Sequence, residues 1–298
     1  MEKKIPIIID TDPGVDDALA LKMAFGSPRL DIRLVCSVAG NVGIERTTAN
    51  ALFLTKRYGG SIPVVRGSAS PLSRGGTDAS GVHGLSGIGD YVIPAHDYAL
   101  EPGDGAEAMY EALRSAGEKV TLVTLGPLTN VATLLDRHPD ALGRIARIYA
   151  MIASVDGAGN ITPYAEFNAY CDPEALAAVA GSGAEIVFAP MHLGRDAKLP
   201  QADILAHSRG EFAEMLAQVF RGYKDDAVGE GDVAMYDANA VEALLHPEHY
   251  DFIRCTAEVN VTDKPGQTFL RPDAAGRAFY LEIRDAAALA EAMLADLE

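Results

Sequence analysis

Apolar runs and amphipathic stretches alternate along most of this chain. Residues 5–9 (IPIII) make an uninterrupted apolar run, which predicts a buried strand. Pro13-Gly14 then punctuates a turn, and the apolar spacing from Asp16 onward predicts a helix. The alternation recurs, with strands predicted over 30–39, 62–66, 120–125, 145–153 and 185–189. Helices are predicted over 50–58, 104–116, 129–135 and 173–180, with Thr129 as a candidate N-cap. Near the end, strands over 255–261 and 277–283 are expected as a late hairpin, and 286–297 as a closing helix. This rhythm predicts an α/β protein with an open, mostly parallel (mixed) central sheet and helices on both faces. In such sheets ligands bind beyond the carboxyl ends of the strands. Asp10, Asn41, Leu125 and the loop after Ala153 all fall at such ends.

Two stretches break the rhythm. Residues 68–90 and 221–236 are polar and lack apolar periodicity, as functional or disordered loops do. No low-complexity linker divides the chain, so residues 1–298 are expected to form one domain. The formal net charge of −17 argues against nucleic acid or an anionic membrane as a partner. No run of 18 apolar residues occurs, so no transmembrane helix is expected. Met1-Glu2-Lys3-Lys4 leads into the first strand without an apolar leader segment, so no secretory signal is expected. Cys36, Cys171 and Cys255 are odd in number and widely spaced, as free buried thiols are. Together these features predict a cytoplasmic protein that binds a cation or a neutral small molecule.

The chemistry concentrates in Asp10-Thr11-Asp12-Pro13-Gly14-Val15-Asp16-Asp17. One or two aspartates there would be an ordinary capping and turn device. Four carboxylates within eight residues exceed that need and repel one another unless a cation lies among them. Hard oxygen donors in that number suit Ca²⁺ or Mg²⁺ rather than Zn²⁺.

The stretch from Asp10 to Ala18 resembles the N-terminal signature of the nucleoside hydrolases, the inosine–uridine-preferring ribohydrolases. Four further segments match in order: Ala39-Gly40-Asn41, Val82-His83-Gly84, Leu125-Gly126-Pro127-Leu128-Thr129-Asn130, and Ala165-Glu166-Phe167-Asn168 running into Asp172-Pro173-Glu174-Ala175. Tyr236-Asp237-Ala238-Asn239-Ala240 is a weaker fifth. The resemblance implies the Rossmann-like fold of that family and Ca²⁺-dependent hydrolysis of the N-glycosidic bond of a ribonucleoside. It implies that Asp10 and Asp17 are Ca²⁺ ligands, with the backbone carbonyl of Leu125 and the carboxylate of Asp237. Asp12 would be the base that takes a proton from a water held by the metal. Asp16 and Asn41 would meet the ribose 2′- and 3′-hydroxyls. Asn160, Glu166 and Asn168 would line the far side of the sugar, including its 5′-hydroxyl. A nucleoside is the implied partner, and a homo-oligomer, dimer or tetramer, the implied assembly.

Two positions depart from the family pattern. Tyr236 stands where much of the family has a histidine near the leaving base, and tyrosine, with a pKa of about 10, is a poorer acid at neutral pH. His83, Tyr223, Arg221 and Lys224 are candidates to assist it. The usual Met-Gly-Gly reads Met151-Ile152-Ala153 here, placing larger residues beside the sugar pocket. Two other readings compete. Asp10-Thr11-Asp12 at a strand end also suits a Mg²⁺ phosphohydrolase of the haloacid-dehalogenase type, with Lys224-Asp225-Asp226 as its nearest downstream candidate. A Ca²⁺-dependent riboside-binding protein without turnover would fit the two departures.

Overall fold

The computed structural model describes residues 3–223, 225 and 228–298. The expected leaderless start at Met1-Glu2 and the candidates Lys224 and Asp226 lie outside the described residues. The strands are β1 (Ile5–Thr11), β2 (Leu30–Ser37), β3 (Val64–Arg66), β4 (Val120–Thr124), β5 (Ile145–Met151), β6 (Ile186–Ala189), β7 (Leu199–Pro200), β8 (Asp232–Val233), β9 (Tyr250–Asn260), β10 (Gln267–Pro272) and β11 (Ala278–Ile283). The first seven helices are α1 (Val15–Gly26), α2 (Ile44–Leu54), α3 (Ser80–His83), α4 (Gly105–Ser115), α5 (Thr129–Arg137), α6 (Phe167–Cys171) and α7 (Pro173–Gly181). The others are α8 (His192–Asp196), α9 (Gln201–His207), α10 (Gly210–Gly222), α11 (Ala238–Leu245) and α12 (Ala286–Asp296).

Among the described residues nine strands form one sheet, in the order β10-β9-β11-β6-β5-β4-β1-β2-β3. The seven from β11 to β3 run parallel, and β9 and β10 are antiparallel to their neighbours. The period-2 alternation of a strand sends Ile7 and Ile9 to one hydrophobic cluster and Ile8 to the other. Both faces of β1 are therefore covered, which explains its continuous apolar sequence. β1 lies between β2 and β4, with Asp10 level with Cys36 on one side and Thr124 on the other. The carboxyl ends of these central strands thus meet along one edge of the sheet.

The structure corrects four local expectations. The second helix starts at Ile44 rather than residue 50 and ends in a wider π turn over Thr55–Gly59. Thr129 is the first residue of α5 rather than its cap, and its hydroxyl donates to Asp172 Oδ2 at 2.7 Å. The expected hairpin is a three-stranded unit, because β10 intervenes and pairs with the opposite edge of β9 from β11. Residues 68–90 contain the short helix α3, and 221–236 contain the end of α10 and the strand β8. Cys36, Cys171 and Cys255 are free and buried. No described helix is long and apolar enough to cross a membrane.

Candidate active site

The Pro13-Gly14 turn places Asp16 and Asp17 in the first turn of α1, at its positive end. Asp17 is held from three directions. Thr11 Oγ1 donates to Oδ1 at 2.6 Å, while Gly14 N–H and Asn41 Nδ2 donate to Oδ2 at 2.8 and 3.0 Å. Asn41 also donates its backbone N–H to Asp12 Oδ2 at 2.7 Å and its side-chain amide to the Asp12 carbonyl at 3.2 Å. The end of β1, the start of α1 and the loop after β2 are thereby tied together through carboxylates.

Asp237, at the start of α11, closes the group from the far end of the sequence. Carboxylate oxygens of Asp16, Asp17 and Asp237 lie within 4.8 Å of one another. Asp10, Asp12, Asp16, Asp17 and Asp237 are all buried. Among the described residues, none of the five is ion-paired with a basic side chain. Burial pushes all five carboxyls up. For Asp12 the next contribution is the Asp17 charge, and for Asp237 it is Asp16 and then Asp17 and Asp12. Asp10 rises to about 7 through burial, against hydrogen bonds from Asn130 and Cys36 that favour its charged form. The structure therefore gathers Asp12, Asp16, Asp17 and Asp237 and places Asp10 against Asn130, whose Nδ2 donates to Oδ1 at 2.7 Å. Two buried oxygens, Asp10 Oδ2 and Asp12 Oδ1, have no hydrogen-bond partner. Buried acids with unpartnered oxygens and no counter-charge fit a hard divalent cation.

Two glycines make room for Asp12. A Cβ at Gly40 or at Gly126 would lie 2.8 Å from Asp12 Cγ, and closer still to one of its oxygens. Leu125 N–H donates to the Asp10 carbonyl at 2.8 Å. The Leu125 carbonyl accepts from Asn168 Nδ2 at 2.9 Å, and the same amide reaches the Met151 carbonyl at 2.9 Å. Asn168 thus ties the ends of β4 and β5 together. Glu166 caps α6, with its oxygens accepting the backbone N–H groups of Asn168, Ala169 and Ala153 at 2.8, 3.0 and 3.0 Å. Burial pushes its carboxyl up to about 7. Ala153 keeps a left-handed φ of 82°, a conformation that favours glycine. Asn160 is exposed on the loop after β5, where its backbone N–H donates to the Ala165 carbonyl at 3.1 Å.

His83 is buried beneath the start of α1, where its Nδ1 accepts from Val15 N–H at 3.1 Å. Burial lowers its pKa to about 4, so the imidazole is neutral and offers a donor only at Nε2. Tyr236 is half-buried against Gly194 and hydrogen-bonded to Asp225. Tyr223 donates to Asp225 Oδ2 at 3.3 Å. Burial and the nearby Asp225 and Asp16 push both phenols up, so both hold their protons at neutral pH. Arg221 is exposed and donates to the Ala217 carbonyl of its own helix. Sequence reading passed over Asn130 and Thr11 as site residues and named Asp225 only within the phosphohydrolase alternative. Thr11 and Asn130 carried a signal, as members of the Asp10–Ala18 and Leu125–Asn130 segments.

Comparison with known proteins places the chain in a family. The family described as inosine-uridine preferring nucleoside hydrolase matches residues 7–290. A non-specific ribonucleoside hydrolase RihC from Klebsiella pneumoniae is 40% identical over 258 residues, covering 86% of this chain and 84% of its own. The RihC of Escherichia coli O6:H1 is similar to the same extent. Among solved structures, a plant nucleoside hydrolase superposes with a TM-score of 0.88 at 25% identity, over 98% of both chains. A purine-preferring ribonucleoside hydrolase from Gardnerella vaginalis shares the fold, with a TM-score of 0.88 at 24% identity over 98% of both chains. Fold and acidic site together define a nucleoside hydrolase. The chain belongs to the inosine-uridine preferring nucleoside hydrolase family. That membership sets aside the phosphohydrolase alternative.

Proposed function

We propose that this nucleoside hydrolase is Ca²⁺-dependent and cleaves both purine and pyrimidine ribonucleosides to ribose and free base. The observation that carries the Ca²⁺ reading is the buried acidic group around Asp17, which meets the Asp12 carboxylate with its unpartnered Oδ1 and has no basic partner among the described residues. The breadth of substrate is supported by relatives at 40% identity named as non-specific ribonucleoside hydrolases. Asp17, Asp237 and the Leu125 carbonyl would hold the ion; the charge of Asp12 acts on Asp237, whereas Asp10 is held by Asn130. A cation there supplies a water of lowered pKa and positions for sugar hydroxyls. Asp12 is the base. Asn41 N–H occupies its Oδ2, which leaves Oδ1 to accept the proton. Asp16 and Asn41 meet the 2′- and 3′-hydroxyls, and Glu166, Asn168 and Asn160 border the far side of the sugar. The surrounding carboxylates stabilise the positive charge that develops on the ribose ring. No covalent nucleophile is required, so inversion at C1′ is the expected outcome.

Leaving-group assistance falls to neutral donors. The Tyr236 and Tyr223 hydroxyls would turn from Asp225 to the departing base, and His83 would act only through Nε2. We place the enzyme in the cytoplasm as a homo-oligomer. The test is ribose release from inosine, adenosine, guanosine, uridine and cytidine, with Ca²⁺ and then with a chelator. Chelator-sensitive release from both base classes supports the reading. Release that persists after complete metal removal would overturn it.

A further inference from the structure

At the opposite end of α11 from Asp237 lies a second cluster. Glu242 and His246 stand four residues apart, and Asp296 reaches them from the last turn of α12. One ligand atom from each of the three lies within 4.8 Å of the other two. His246 Nε2 is 3.0 Å from Asp296 Oδ2. Glu242 is fully buried, no N–H or O–H group of the described residues donates to either of its carboxylate oxygens, and its carboxyl lies within hydrogen-bonding reach of the Asp296 carboxylate. His246 and Asp296 are 28% and 29% exposed at their side chains, which leaves a path from solvent to the buried carboxylate.

We propose that Glu242, His246 and Asp296 form a second metal site, for a first-row divalent transition metal such as Zn²⁺. One imidazole and two carboxylates suit Zn²⁺ better than the oxygen-only preference of Ca²⁺. Two ligands bound at about 2.0–2.1 Å with tetrahedral angles sit roughly 3.3 Å apart, close to the His246–Asp296 separation. The other imidazole nitrogen, Nδ1, lies 3.4 Å from Glu248 Oε1. A carboxylate at that position fixes the tautomer that presents Nε2 to a metal. A divalent ion would balance the charges of Glu242 and Asp296, whereas without one burial and Asp296 push the Glu242 carboxyl well up. Lys22, which donates to the Leu297 carbonyl at 3.2 Å, and Arg29, which donates to the Leu245 carbonyl, are nearby cations that such an ion would have to tolerate. The bound metal would join α11 to α12, and Asp237 immediately precedes α11. It is a structural clasp on the helix that carries an active-site carboxylate.

The probe is Zn²⁺ titrated calorimetrically into the full chain with its acidic site saturated by Ca²⁺, with melting temperature followed in parallel. The expected result is one equivalent of bound Zn²⁺ and a raised melting temperature. Loss of a ligand should weaken binding at least as much as loss of an outer partner, by roughly tenfold or more, in Glu242→Gln and in His246→Ala. Nucleoside hydrolysis in Ca²⁺ should be unchanged in both variants. Glu242→Gln keeps the side-chain shape and decides the matter if His246→Ala does not fold. No Zn²⁺ equivalent beyond the Ca²⁺ site, or parental affinity in Glu242→Gln, overturns the proposal. It is equally overturned if His249→Ala abolishes binding while Glu242→Gln does not. That result would place the ion on the outer His246-Glu248-His249 face.

Discussion

Replacing Gly40 with alanine should leave a folded protein that turns over slowly. The new Cβ would lie 2.8 Å from Asp12 Cγ, closer still to Asp12 Oδ2, and 3.0 Å from Pro127 Cδ. Ordinary contact begins near 3.4 Å, so the carboxyl carbon must retreat by about 0.6 Å and its oxygen by more. Oδ2 is the atom that accepts Asn41 N–H at 2.7 Å, so the retreat strains that hydrogen bond as well. Overpacking of this kind typically costs about 1–3 kcal/mol of stability. A catalytic group displaced by about 1 Å can lose roughly 10²-fold in rate, equivalent to about 2.7 kcal/mol in the barrier. The assay is initial rates of ribose release at saturating Ca²⁺, with melting temperature measured on the same samples. Gly43→Ala is the control, because nothing lies within 4 Å of its added methyl group. A roughly hundredfold fall in kcat for Gly40→Ala, with Gly43→Ala at the parental rate, is expected. A Gly40→Ala enzyme that melts lower yet turns over at the parental rate would refute Asp12 as the base.

Asp17→Ala should lose stoichiometric Ca²⁺, whereas Asp10→Ala, set back against Asn130, should retain one equivalent in calorimetry; the reverse pattern would restore Asp10 as a ligand. Chelation should lower the melting temperature more at pH 8 than at pH 5. In the metal-free protein burial raises the Asp12, Asp16, Asp17 and Asp237 carboxyls, so that state is most stable with them protonated and loses that stability as pH rises above the ordinary carboxylate range, whereas a bound cation would hold them ionised. An equal drop at both pH values contradicts this. Ala153→Gly should raise stability by about 1 kcal/mol in denaturant titration, by relieving the left-handed φ; an unchanged or lower midpoint would mean that the strain is absorbed elsewhere.

The central sheet was legible because buried parallel strands leave continuous apolar runs, as at Ile7-Ile8-Ile9. The buried acidic cluster was legible because most of its carboxylates crowd into one turn, where mutual repulsion itself signals a cation. The start of α2 was hidden because Glu45-Arg46-Thr47-Thr48 carries no apolar periodicity, although Thr47 and Thr48 are buried against neighbouring elements. β10 was hidden by its mixed polarity and its terminal Pro272; its strand character comes from pairing with β9 rather than from its own residues. Thr11 and Asn130 hold carboxylates six and 120 residues away in sequence, and only the fold reveals the second of these partnerships. His83 was picked out by its motif, but its contact with Val15 N–H and its low pKa arise from burial under α1.

The most direct test of the account pairs two readings on one variant, Asp12→Asn: bound Ca²⁺ per chain and the rate of ribose release. The asparagine keeps an oxygen donor and the shape of the carboxylate but takes up no proton at neutral pH. The account predicts one equivalent of Ca²⁺, as in the parent, with turnover reduced by roughly 10²–10⁴-fold or more. Parental turnover in a Ca²⁺-loaded Asp12→Asn enzyme would contradict it.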